Sequence, residues 1–217
     1  FEKYKKAKGK LFSAAKEVHV VNADDEHAPY FLQFPAEKVI TYSLADAKDI
    51  DLHLKLLGTF NISNALAAIC VAKSFGISLD ICKRALEKIE GVPGRMEVVI
   101  KEPFRVVVDY AFTPAALEKV YQTLKTTNYK LICVLGAAGG GRDKWKRPVL
   151  GKLAATYCDK IIVTNEDPYE ENPSQILSEI KSGISNSKFQ MSNFYEILDR
   201  REAIAKALSL AGPDDTV

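Results

Sequence analysis

The chain contains no Gly-Lys-Ser/Thr tripeptide, which excludes a Walker A phosphate loop, and no Gly-x-Gly-x-x-Gly after an apolar run, which argues against a nicotinamide dehydrogenase. Histidine is scarce, with three residues. The four cysteines, Cys70, Cys82, Cys133 and Cys158, form no Cys-x-x-Cys pair and no zinc-ligand spacing with the histidines. They read as buried free thiols in a reducing compartment, so the cytoplasm is the expected location. Neither sign of charge is in excess: 30 basic against 28 acidic residues give a net charge of +2, and no global case for nucleic-acid binding. No apolar run is long enough for a membrane span. No apolar signal core follows the opening Phe-Glu-Lys-Tyr-Lys-Lys, and no membrane insertion is expected. No internal repeat and no low-complexity tract is visible.

What is present is a globular composition, 47% hydrophobic and 27% charged, over 217 residues, enough for one large or two small domains. Residues 1–16 read as a helix. Val18–Val21 and Val39–Tyr42 read as short strands, and Asp51–Leu57 alternates like a half-buried strand. Helices are expected over Asn61–Phe75 and Ser78–Ile89, followed by the turn Gly91-Val92-Pro93-Gly94, taken as the domain boundary. Beyond it strands (Met96–Ile100, Phe104–Val108, Leu131–Leu135, Lys160–Thr164) alternate with helices (Thr113 or Pro114 to about Thr126, Pro148–Tyr157, Pro173 to about Ser182 capped by Asn172, and Glu202–Leu210). This pattern implies an α/β fold with a parallel sheet covered on both faces.

The stretch most suggestive of function runs from Val134 to Pro148. An apolar strand empties into Gly136-Ala137-Ala138-Gly139-Gly140-Gly141, followed by Arg142, Asp143, Lys144, Lys146 and Arg147. Glycines let backbone N–H groups turn toward a ligand, and a helix starting near Pro148 adds positive potential. The segment reads as an anion site for phosphate or carboxylate, or else as an ordinary loop with a basic rim.

Five signals stand in order: Gly58-Thr59-Phe60-Asn61-Ile62-Ser63-Asn64-Ala65; Gly94-Arg95-Met96-Glu97; Val108-Asp109-Tyr110-Ala111-Phe112-Thr113-Pro114; the Gly136–Pro148 loop; and Thr164-Asn165-Glu166-Asp167-Pro168. As a set they resemble the Mur ligase family, in particular its members that add the third residue of the peptidoglycan stem peptide. The resemblance implies that residues 1–94 are the end of a P-loop-type central, ATP-binding domain. Residues 95–217 are then a Rossmann-like, amino-acid-binding C-terminal domain, truncated at its end. It places the UDP-sugar domain, the P-loop and the carbamylated lysine upstream, so the fragment alone is expected to be inactive. The Tyr42–Asp51 segment is shorter than the family usually has. The implied partners are ATP, Mg2+, a UDP-N-acetylmuramoyl-peptide and an amino acid, in a monomer. The family reaction activates a carboxylate as an acyl phosphate, which an amine attacks to form an amide, so the enzyme mainly neutralises charge and positions groups.

By the same resemblance Asn64 contacts adenine, Arg95 the nucleotide, Asp109 the ribose, and Arg142 the carboxylate of the incoming amino acid. Each has a structural alternative. Asn61 serves better as a helix N-cap than as a ligand contact, Arg95 could pair with Glu97, and Asp109 could cap the following turn. Lys144, Lys146 and Arg147 read as a solvated rim. Phe112 stands where the family usually has histidine, which removes acid–base chemistry there and leaves stacking. Members that add meso-diaminopimelate carry Asp-Asn-Pro-Arg where this chain has Glu166-Asp167-Pro168-Tyr169. An acidic, arginine-free pocket would favour lysine or ornithine over a second carboxylate. Alternatively, Glu166 and Asp167 only cap their loop.

Asp24, Asp25, Glu26 and His27 resemble hard-metal ligands but match no EF-hand spacing, so a solvated loop is the better reading and no metal ligand is assigned. Trp145 could stack on a ligand or shield the loop base. No catalytic residue is assigned. The competing readings are a related folylpolyglutamate or cyanophycin-type ligase, and a non-catalytic module that binds a nucleotide or amino acid.

Overall fold

The computed structural model describes residues 1–125 and 128–217. The chain divides into two compact units, Phe1–Gly91 and Val92–Val217.

The first unit opens with α1 (Glu2–Ala14), β1 (Val18–Asn22), α2 (Ala28–Leu32) and β2 (Lys38–Tyr42). β1 and β2 pair in parallel, Val20 opposite Ile40. After a 3-10 turn at Leu44–Asp46 come α3 (Ala47–Ile50), α4 (Thr59–Ser74) and α5 (Leu79–Leu86). α4 packs on both strands and buries Ala65, Leu66 and Ile69. Phe12 of α1 makes ring contacts with His19, Phe31 and Phe34. The Asp24–His27 segment is a loop held by its own side chains: Asp24 accepts from the Leu44 amide and Asp25 from that of His27.

The expected strand at Asp51–Leu57 does not form. Burial alternates as the sequence predicts, with Leu52, Leu54 and Leu56 half-buried, but among the described residues no neighbouring strand supplies a ladder. Asp51 instead takes φ 48°, and the segment is held by side chains just past α5: the His53 amide donates to Glu87 and Lys55 pairs with Glu90. Periodicity reports which face is buried, not whether a partner edge exists.

The second unit contains β3 (Glu97–Ile100), β4 (Val106–Val108), α6 (Pro114–Leu124), β5 (Ile132–Leu135), α7 (Lys146–Tyr157), β6 (Lys160–Val163), α8 (Pro173–Ser185), β7 (Phe194–Glu196) and α9 (Arg200–Leu210). The expected end of α6 near Thr126 lies outside the described residues. β5, β6 and β7 form a parallel sheet with β6 central. Ile132, Val134 and Ile162 face α9, where Ala203 and Ala207 are fully buried. Cys133, Leu135, Ile161 and Val163 alternate to the opposite face. Side-chain caps set the helix starts: Thr113 accepts from Ala116, Asn172 from Ser174, and Asp199 from Glu202.

The expected parallel sheet is β5–β6–β7; β3 and β4 stand apart from it and pair antiparallel. The link from Ile100 to Val106 is far too short for a parallel crossover, which needs a dozen or more residues. Thr216 then bridges Arg105 and Leu131 in parallel, joining the hairpin to the main sheet.

Candidate functional site

The C-terminal ends of β4, β5 and β6 open into one cavity of about 520 Å³, lined wholly by the second unit. Ligands collect at such ends in open α/β sheets. The inner part is apolar, with Val107, Leu117, Cys133 and Val217 among its walls. It lies between β4 and β5, where Val217 bonds to Arg105 and Val107. The polar end carries Asp109, Arg142, Lys146, Glu166, Asp167, Tyr169 and Arg200.

Three loops build this polar end. In the first, after β5, Gly140 and Gly141 take φ 67° and 75°, which glycine adopts without strain. Gly139 has no room for a Cβ against the Pro168 carbonyl, and its N–H donates to the Asp167 carbonyl at 2.8 Å. The glycine run thus lets two loops touch backbone to backbone. Arg142 extends exposed from this loop.

The helix that follows starts at Lys146, two residues before Pro148, with Trp145 as the N-cap residue. Proline is tolerated in a first turn because its missing N–H would find no helical acceptor there. The earlier start corrects the solvated-rim reading for two residues. Arg147 is 0% exposed and Lys146 7%, whereas Lys144 and Trp145 stay exposed. The Lys146 ammonium lies 5.1 Å over the Phe112 ring. Desolvation, with Arg142 nearby, lowers its pKa.

In the second loop, after β6, Glu166 is half-buried and Asp167 and Tyr169 are exposed. Tyr169 takes φ 52° and lies against Gly140. Asn165 lines the cavity, and its Oδ1 is buried with no hydrogen-bond partner among the described residues. Downstream of this loop, Asn172 caps α8. The pocket is not arginine-free. Arg200, the first residue of α9, donates through Nε to the Asn165 carbonyl at 3.0 Å and stands 3.7 Å from Asp167. Sequence reasoning missed Arg200 because it lies some thirty residues beyond the motif, in a helix without a motif of its own.

The third loop follows β4. Asp109 accepts from the Met96 and Ala111 amides at 2.8 and 2.7 Å, so it does hold the following turn. Each carboxylate oxygen retains a second lone pair for a ligand. Arg95 does not line the cavity. Its guanidinium sits 5.0 Å over the Tyr110 ring, and Glu97 accepts from the Gly94 amide. Tyr110 and Phe112 are both exposed and contact edge to face. Together they offer flat aromatic surface beside a carboxylate, which suits a nucleoside.

Asn64 belongs to the first unit. It is exposed on α4, with its Nδ2 3.3 Å from Asn61 Oδ1. Asn61 is not the N-cap, since Gly58 is, at φ 91°. Asn61 Nδ2 instead donates to the Leu57 carbonyl at 2.7 Å and ties the segment before α4 to its first turn. Among the described residues no group of three or more His, Cys, Asp or Glu stands close enough to hold a metal ion. No described residue is therefore assigned to magnesium. No described helix is long and apolar enough to cross a membrane.

Comparison with known proteins places this arrangement. Residues 94–217 match the family model described as "Mur ligase, glutamate ligase domain". The whole chain aligns at 37% identity, over 240 residues, with a UDP-N-acetylmuramoyl-L-alanyl-D-glutamate–2,6-diaminopimelate ligase from Caldanaerobacter subterraneus subsp. tengcongensis, covering 49% of that protein. It aligns at 38%, over 257 residues, with a UDP-N-acetylmuramyl-tripeptide synthetase from Roseiflexus sp., covering 50%. A solved structure of a UDP-N-acetylmuramoyl-L-alanyl-D-glutamate–2,6-diaminopimelate ligase superposes with a TM-score of 0.54 at 33% identity, over all of this chain and 50% of that one. The chain spans about half the length of the curated relatives it matches. With the family model covering more than half its residues, and its strand ends converging on one polar cavity, the chain belongs to the Mur ligase family.

Proposed function

We propose that this chain is the amino-acid-accepting part of an ATP-dependent, magnesium-dependent ligase that joins an amino acid to a UDP-N-acetylmuramoyl-peptide in peptidoglycan synthesis. Residues 1–94 serve as the end of its nucleotide-binding central domain and residues 95–217 as its C-terminal domain. The observation that carries the reading is the convergence of Arg142, Lys146, Asn165 and Glu166 on one cavity at the strand ends. Arg142 offers a planar fork for the α-carboxylate of the incoming amino acid. The buried Asn165 Oδ1 is an acceptor suited to its ammonium. Lys146, nearly buried, adds positive charge where a developing phosphate or carboxylate would sit. Asp109, Tyr110 and Phe112 supply a ribose acceptor and a stacking surface, and Arg95 a nucleotide contact; Asn64, in the other unit, is assigned to adenine on family membership alone.

Activation of the acceptor carboxylate draws its phosphoryl group from ATP. The residues of this chain hold the amine in line and neutralise charge as the amide forms and phosphate leaves. The protein works as a monomer in the cytoplasm.

For the amino acid, Tyr169 in place of a cationic side chain and the half-buried Glu166 favour lysine or ornithine. Arg200 favours a second reading, because it supplies a cation at the same rim and could receive the distal carboxylate of diaminopimelate, the substrate named for several relatives. The deciding experiment is amino-acid-dependent phosphate release by the longer protein that carries this chain. It needs ATP, magnesium and the UDP-muramoyl-dipeptide, with lysine, ornithine and diaminopimelate compared. Turnover with diaminopimelate above that with lysine establishes the second reading. No release with any of them, alongside intact ATP binding, rejects the ligase reading.

A further inference from the structure

Arg147 is the most completely buried charge in the described chain, and none of the ligand contacts above uses it. Its Nη1 donates to Glu171 at 3.0 Å and Glu179 at 2.7 Å; its Nη2 donates to Glu171 at 3.1 Å and to the Ala138 carbonyl at 3.3 Å. Four separate pieces of chain therefore meet at one guanidinium: the glycine-rich loop, the first turn of α7, the loop after β6, and α8. Lys144 adds a second cation to Glu171 at 3.0 Å. Burial opposes the Arg147 charge, but the hydrogen bonds to Glu171 and Glu179 raise its pKa overall. Those from Arg147 and Lys144 hold the Glu171 carboxyl at about 2.

The peptide unit between Ala138 and Gly139 is pinned at both ends. Its carbonyl accepts from Arg147, and its N–H donates to the Asp167 carbonyl. The plane of that peptide sets the direction in which the chain proceeds through Gly140 and Gly141 to Arg142. Glu171 closes the circuit, since its own amide donates to the Pro168 carbonyl at 3.0 Å. Arg147 is buried while its carboxylate partners keep part of their surface exposed, and such pairs are weak evidence of stabilisation; the pinned loops give it a positional role.

We infer that Arg147 is a positioning residue that fixes the spacing between the carboxylate-binding loop of Arg142 and the side-chain-selecting loop of Glu166, Asp167 and Tyr169. It thereby sets the length of amino acid the site accepts. This inference rests on the proposed amino-acid site. Loosening the clamp lets the two loops drift relative to each other, which penalises binding of the amino acid and leaves the nucleotide contacts of Arg95 and Asp109 untouched.

The test uses Arg147→Lys and the milder Glu171→Gln in the longer protein, with two readouts. Hydrogen exchange of amides in 136–142 and 165–171 is expected to speed up on the order of tenfold in both variants, while β5 and β6 stay protected. KM for the amino acid is expected to rise on the order of tenfold, and discrimination between lysine and ornithine to narrow, with kcat and KM for ATP little changed. If Arg147→Lys fails to fold, Glu171→Gln decides. A folded Glu171→Gln protein with unaltered exchange in both loops overturns the clamp. Faster exchange with an unaltered amino-acid KM overturns its positioning role. If the wild-type enzyme shows no amino-acid-dependent phosphate release, the proposed function falls, and the exchange readout still decides the clamp.

Discussion

Gly151 of α7 and Gly183 of α8 exclude side chains from the crossing of the two helices: a Cβ on Gly151 would strike the Ile180 carbonyl, and one on Gly183 the Pro148 carbonyl. Backbone is thus packed on backbone, and neither wall is a side chain that could swing away. Gly183→Ala is expected to destabilise the second unit by about 2–3 kcal/mol, at the upper end for overpacking. Chemical denaturation of wild type and variant measures the loss. Because Arg147 and Glu179 sit on these same helices, the variant should also weaken their ion pair.

Acid should weaken the fold through Glu171. Its carboxyl sits at about 2 in the folded chain, below the ordinary value of 4.5, so the native state favours the ionised form. The stabilisation is fully present above about pH 4.5 and drains away as pH falls from there toward about 2. Melting temperature recorded across that window should fall more steeply for wild type than for Glu171→Gln, whose side chain has no proton to gain. Parallel curves for the two proteins would show that Glu171 contributes nothing to acid sensitivity.

Arg142→Ala should raise KM for the incoming amino acid about 10- to 100-fold, the range expected for losing a charge-assisted hydrogen bond, with little change in KM for ATP. Steady-state kinetics on the longer enzyme separates the two. An equal rise in both constants would mean that Arg142 serves the nucleotide instead.

Arg200→Ala addresses the side chain of the amino acid. Removing this cation from the rim leaves Asp167 unopposed there. The ratio of kcat/KM for lysine over diaminopimelate should then increase on the order of tenfold. An unchanged ratio places Arg200 outside the recognition of the distal group.

Much of this architecture was legible because local chemistry decided it. Thr113 and Asn172 are strong N-cap types and each begins a helix as expected, while the cap at Asp199 was not read from the sequence. The apolar runs at Leu131–Leu135 and Lys160–Thr164 could only be buried strands, and Asp109, Arg142, Glu166, Asp167 and Tyr169 do line one cavity. What escaped depended on partners distant in sequence. Arg147 read as a rim residue because nothing beside it announces Glu171 and Glu179. Asp51–Leu57 has a strand's alternation without a strand's neighbour. β7 (Phe194–Glu196) is too short to stand out from its surroundings and exists because β6 offers it an open edge. The antiparallel sense of β3 and β4 was available from the connection length alone and was overlooked in favour of the alternating pattern that follows it.

Thr216 links two ladders that otherwise share no strand, through bridges to Arg105 and to Leu131. The cavity lies between those ladders, with Val106–Val108 on one side and Leu131–Leu135 on the other. The hairpin and the α/β layers each form from residues close in sequence, whereas the Thr216 bridges close across long stretches of chain. Non-local closures of this sort are slow because their entropy cost comes before their contacts. A protein unable to make the Thr216 bridges would therefore carry every residue of the polar rim on two ladders that no described strand joins.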